Sequence, residues 1–108
     1  MPGKFRSDKI LVFQDLTYEV FAKLVNQKFS LVHDSGKLEV ELIECKIAGA
    51  RAPAGHREPF SLIFRGPAQP LLPQRIYRFD FGEAGSSDIF IVPIGSDAAG
   101  MRYEAVFN

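Results

Sequence analysis

Residues 101–108 split cleanly by parity, with Met101, Tyr103, Ala105 and Phe107 on one side and Arg102, Glu104 and Val106 on the other. A period of two predicts a β-strand with one buried face. Because it runs to the last residue, it is expected to close the fold with no tail beyond it. The same alternation recurs upstream. Phe29, Leu31 and His33 oppose Ser30 and Val32; Phe60, Leu62 and Phe64 oppose Ser61 and Ile63; Tyr77, Phe79 and Phe81 oppose Arg78 and Asp80. Residues 38–47 form a longer strand whose phase slips. Leu38, Val40 and Leu42 point one way, and from Ile43 the apolar set continues as Ile43, Cys45 and Ile47. A one-residue slip inside a strand marks a β-bulge, which bends and twists a sheet toward a barrel. Residues 89–94 are apolar on both faces, which predicts a central strand or one covered by a helix. Pro93 cannot donate to a ladder, so that strand should be unpaired or bulged there.

One segment has helical spacing. Val20, Phe21, Leu24 and Val25 recur as an apolar stripe in residues 16–25. Thr17 is placed to cap this helix, Glu19 complements its dipole, and Leu16 with Phe21 matches a hydrophobic staple. Asn26 stops it. Residues 34–36 form a turn in which Gly36 takes positive φ. Pro- and Gly-punctuated connections span 48–59 and 66–74. The expected architecture is therefore mainly β: a six-stranded antiparallel sandwich or half-open barrel, with one N-terminal helix that plugs one end or covers one face. Residues 15–108 form a single domain and residues 1–14 an N-terminal arm, whose apolar run at 10–13 adds to a sheet edge in its own molecule or a neighbour.

Composition narrows the options. A chain of 108 residues is one domain and can bury a core without staples. Ten Phe and three Tyr with no Trp make that core aromatic. The single Cys45 excludes an internal disulfide and fits a reducing, cytoplasmic setting. Formal net charge is zero, which argues against a nucleic-acid partner, since phosphate binding needs a surplus of Lys and Arg. The charge is uneven, however. Residues 51–79 hold five Arg against one Glu, and residues 80–108 hold five acids against one Arg. Either the surface is bipolar, or the two segments are neighbours and neutralise each other. No run reaches the roughly 18 apolar residues of a membrane helix, and the arm lacks the h-region and cleavage site of a signal peptide.

The inventory of reactive groups is short. His33 and His56 lie in separate elements, away from Cys45, so no metal-ligand spacing is present. Cys45 is in phase with core residues, where a thiol is inert. Glu39, Glu41 and Glu44 form an acidic line suited to solvation or cross-strand pairing with Arg. No nucleophile elbow, phosphate loop or dinucleotide fingerprint occurs, and no cofactor is implied. Arg51, His56 and Arg57 in the first long connection, joined by Arg65, make a basic set able to hold an anion or to serve as a contact surface.

Four ordered blocks carry a family likeness: residues 59–67 (PFSLIFRGP), 72–77 (LPQRIY), 89–95 (IFIVPIG) and 100–108 (GMRYEAVFN). Over residues 15–108 the chain resembles a small bacterial family catalogued as a domain of unknown function. That resemblance implies an association with phage-tail-like loci and no assigned activity. The sequence thus points to a non-enzymatic structural or protein-interaction module, an accessory of a phage-tail-like particle, acting through a protein partner or self-association. The alternative is a β domain that binds a small anion or carbohydrate, through Tyr77 or Tyr103 with an Arg.

Overall fold

The computed structural model describes residues 10–12, 15–34, 36–47 and 58–108. Its elements are α1 (Tyr18–Ala22), β1 (Lys28–His33), β2 (Gly36–Ile47), β3 (Phe60–Gly66), β4 (Arg75–Asp80), β5 (Ser86–Asp97) and β6 (Gly100–Phe107). All six expected strands form, and every neighbouring pair is antiparallel. They close into a barrel in the order β1-β2-β3-β6-β5-β4. The expectation of a sandwich or half-open barrel is corrected to closure. The closing seam is short: Ser30 pairs with Asp80, Leu31 with Phe79 and Val32 with Arg78.

Two irregularities supply the curl that closure needs. The β2–β3 register shifts between Leu42 and Glu44, where the sequence phase slips at Ile43. The β5–β6 register shifts between Pro93 and Gly95, at the residue that cannot donate to the ladder.

The interior is filled. Leu31, Leu42, Phe60, Leu62, Phe64, Phe79, Ile91 and Tyr103 are fully buried. Phe60 stacks on Phe107 with ring centroids 4.7 Å apart, and Phe64 meets Phe79 at 4.8 Å. Helix α1 plugs one barrel end by inserting Phe21 against Phe60, Phe81 and Phe107, at 6.0, 5.6 and 5.9 Å. The connection between β3 and β4 plugs the other end. Its Leu72 is buried, and the Leu72 backbone N–H donates to the Tyr103 hydroxyl at 3.0 Å. The Tyr77 hydroxyl donates to the Pro73 carbonyl at 2.6 Å.

The helix begins as expected, with the Thr17 hydroxyl accepting from the Val20 N–H at 3.3 Å. It spans five residues, where the stripe suggested ten. Asn26 takes a positive φ of 74°, and its N–H donates to the Leu42 carbonyl at 2.6 Å. The Leu42 N–H in turn donates to the Gln27 carbonyl at 3.0 Å, so β2 captures the chain before a third helical turn can form. Asn tolerates the left-handed region better than most residues.

Part of the N-terminal arm docks on its own molecule. Ile10 bridges Ser86 in parallel, the Leu11 N–H donates to the Ser86 carbonyl at 2.7 Å, and Leu11 is buried. The remainder of the arm lies outside the described residues.

Strand β5 departs from its expected cover. Ile89 and Ile91 face the core, but Phe90 on the outer face is half-exposed. Helix α1 sits at the barrel end and leaves that face open. Among the described residues no helix is long and apolar enough to cross a membrane.

Candidate functional site

A barrel filled with side chains and plugged at both ends must act through its outer surface. That surface has two characters. On β1 and β2 the outward positions carry Lys28, Lys37, Glu39, Glu41, Glu44 and Lys46, the charge-rich pattern of a solvated face. Across β4, β5 and β6 the outward positions include Ile76, Phe90 and Val106, exposed by 62%, 50% and 58%. Ile76 lies directly opposite Phe90 in the β4–β5 ladder. Val106 lies two residues beyond the Val92–Glu104 rung on the same side of the barrel, and with Ile76 and Phe90 it lines one groove.

The β5–β6 ladder stops before Phe90 and Val106. Its last rung is Val92–Glu104. Beyond it, β5 runs back to Ser86 paired with β4, while β6 runs on to Phe107 paired with β3. The two strands splay, and a groove of about 430 Å³ opens along the seam, lined by Leu16, Ile76, Phe90, Val106 and Phe107 with Asp88 as its charged member. Contiguous exposed apolar surface is unusual on a small domain and marks contact sites.

The sequence-chosen contact residues fall elsewhere. Arg65 lies outward on β3, where its Nε and Nη2 donate to the Asp97 carboxylate at 3.1 and 2.6 Å. That carboxylate also accepts from the Ala99 and Gly100 N–H groups at 2.9 and 3.0 Å. The Arg65 guanidinium, aided by Ala99 N–H, holds the Asp97 carboxyl below the usual carboxylate range. Arg65 is thus a clamp between β3 and the β5–β6 turn. Arg51, His56 and Arg57 lie outside the described residues.

The charge blocs neutralise each other locally. Arg65–Asp97 joins the basic segment to the acidic one, and so does Arg78–Asp88, in which Arg78 lowers the Asp88 carboxyl. Arg75 pairs with Asp34 at 3.1 Å and lies over the Tyr77 ring at 5.1 Å.

Ile76, Phe90 and Val106 escaped the search for reactive residues, but the sequence does carry a signal for them. Each is an apolar residue in the polar phase of its strand: Ile76 with Arg78, Phe90 with Asp88, Val106 with Arg102 and Glu104.

The Cys45 thiol lies 3.9 Å from the Tyr18 carbonyl, and burial pushes its pKa up to about 11. His33 ends β1. Among the described residues no group of three or more His, Cys, Asp or Glu is arranged to hold a metal ion. What the described surface offers is apolar area beside an open strand seam.

A family model described as "Domain of unknown function (DUF6916)" matches residues 16–107. No curated protein and no solved structure matches the chain.

Proposed function

The chain belongs to the DUF6916 family, and we propose that it is a non-enzymatic protein-interaction module that docks through the outer apolar face of β4, β5 and β6. One observation carries this reading: Ile76, Phe90 and Val106 line one groove on the outside of a barrel whose interior is already filled. Fully burying such a side chain is worth about 1.5–3 kcal/mol, so these half-exposed ones hold roughly 1 kcal/mol each in reserve. An aromatic anchor flanked by aliphatic side chains, with charged groups around them, is the anatomy of an interface centre. Phe90 supplies the anchor, and Arg78, Asp88 and Glu104 supply the charged surround. A role as an accessory of a phage-tail-like assembly is the setting this module would serve, since such particles are built from repeated protein contacts. The partner is another protein or a second copy.

The test is photo-crosslinking in the cell that makes the protein, with a photoreactive phenylalanine at position 90 and, in a separate sample, at the exposed Lys37 on the charged face. The reading expects a discrete protein adduct from position 90 and none from position 37. Adducts of equal yield from both, or none from position 90, overturn it.

A further inference from the structure

We infer that the occupant of this face is an extended strand of the partner with apolar side chains, paired by its backbone into the seam between β5 and β6. The inference rests on the docking reading above and specifies what docks.

The backbone of the seam argues for a strand. The Ser86 carbonyl accepts from Leu11 on the side of β5 away from β4. Backbone groups along a strand alternate sides with period two, so the N–H and C=O of Asp88 and Phe90 face the seam as well. On the other lip, Glu104 pairs with Val92, so Val106 shares its direction. Among the described residues, the one backbone bond into this stretch outside the named ladders is Leu11 N–H to Ser86. Among the described residues, the remaining positions form an open ladder on each lip.

The chain already shows which kind of segment the seam accepts. Ile10 and Leu11 take the first rung, in parallel with β5. Past this rung the Val12 N–H donates to the Asp15 carboxylate at 3.0 Å, and the Asp15 N–H to the Val12 carbonyl at 2.8 Å, so the Val12 backbone is bonded to Asp15. Among the described residues of the arm, none has a backbone bond to Asp88 or Phe90. Native sheets block such edges with Lys, Pro or inward charges. The stretches 86–91 (SSDIFI) and 105–108 (AVFN) contain no Lys, Arg or Pro.

Length refines the occupant. From Asp88 to Ile91 the seam runs about 10 Å at roughly 3.3 Å per residue, which fits a strand of about four residues. Asp88 lines the groove already paired with Arg78, so the seam calls for apolar side chains. The seam's own first-rung segment has this chemistry in its apolar run at 10–13.

The probe is therefore an amidated synthetic peptide of residues 6–14, added to the isotope-labelled full chain and followed by amide exchange in NMR. A second peptide carries N-methyl groups at Leu11 and Phe13, which remove backbone donors and leave the side chains intact. The inference expects the Asp88 and Phe90 amides to exchange at least tenfold more slowly with the first peptide, and the methylated peptide to bind at least tenfold more weakly. If both peptides bind equally and shift the Phe90 and Val106 signals without amide protection, strand pairing is overturned and the docking face survives. If neither peptide perturbs the seam, strand pairing is overturned, and crosslinking at position 90 judges the docking face alone.

Discussion

Phe21 and Phe90 are chemically identical and are placed to opposite ends, so truncating each separates the fold's stability from its function. Phe21 is fully buried and touches three other rings. Phe21→Ala removes the plug and leaves a cavity, at about 3–5 kcal/mol for a buried Phe. A domain of this size is stable by roughly 5–15 kcal/mol, so the loss is about a fifth of the total or more. At about 2.1 cal/mol/K per residue, the unfolding entropy is roughly 230 cal/mol/K, and a loss of 4 kcal/mol lowers Tm by about 17 °C. Phe90 is 50% exposed. Its truncation forfeits about half of a buried side chain's transfer energy plus a weak cross-strand pair with Ile76, about 1–1.5 kcal/mol together. That is about 5 °C.

The assay is equilibrium urea unfolding followed by far-ultraviolet circular dichroism, since the chain has no Trp to report by fluorescence. Phe90→Ala should shift the midpoint slightly with an unchanged slope, while Phe21→Ala should shift it several-fold further. Equal losses from the two would make Phe90 a core residue and refute the claim that its face is free for a partner.

Two further predictions probe the clamp and the crossing of β3 with β6. Arg65 depresses the Asp97 carboxyl, and a depressed folded-state value gives stability that is complete above the ordinary carboxylate range and is lost as pH falls through the folded value. Asp88, lowered by Arg78, acts in the same sense. Tm should therefore drop on acidification below about pH 4, and Asp97→Asn should lower Tm at neutral pH and flatten that drop. An unchanged acid slope in Asp97→Asn thermal melts at fixed salt refutes the clamp. Gly100 combines a φ of +150° with a Cβ position that would overlap the Gly66 carbonyl oxygen, whereas Gly36, at +123°, has nothing within 4 Å. Gly100→Ala should cost about 2–3 kcal/mol or more, because it adds overlap to strain, and Gly36→Ala about 1 kcal/mol; equal melting temperatures for the two variants refute the close approach.

The local elements were legible because their causes are local. Alternation placed five strands and a two-sided apolar run the sixth, the slip at Ile43 located one register shift, and Pro93 located the other. Thr17 marked the helix start. Its end was not legible, since Asn26 and Leu42 meet through a bond between residues 16 apart in the chain. Barrel closure depends on three rungs between β1 and β4, about 50 residues apart, and no period in either strand encodes them. The plug role of Leu72 was hidden for the same reason: its partner, Tyr103, is 31 residues away. Arg65 was read as a free basic group because the sequence does not show that Asp97 folds back onto it.

The two-sided apolar character of residues 89–94 contains the functional question. A strand buried on both faces needs a cover, and α1 would be the natural one. That helix is only five residues long, and its one fully buried side chain, Phe21, is committed to the barrel end. Phe90 therefore keeps the composition of a covered position while standing half-exposed. The cross-strand neighbour Ile76 and the groove neighbour Val106 share that mismatch, each apolar in a polar phase. One stray apolar residue on a surface is ordinary. Three lining one groove, beside the stretch where the β5–β6 ladder stops, form a surface patterned for burial with no cover among the described residues of its own chain. The cover that fits both the side chains and the open backbone is a strand from a partner.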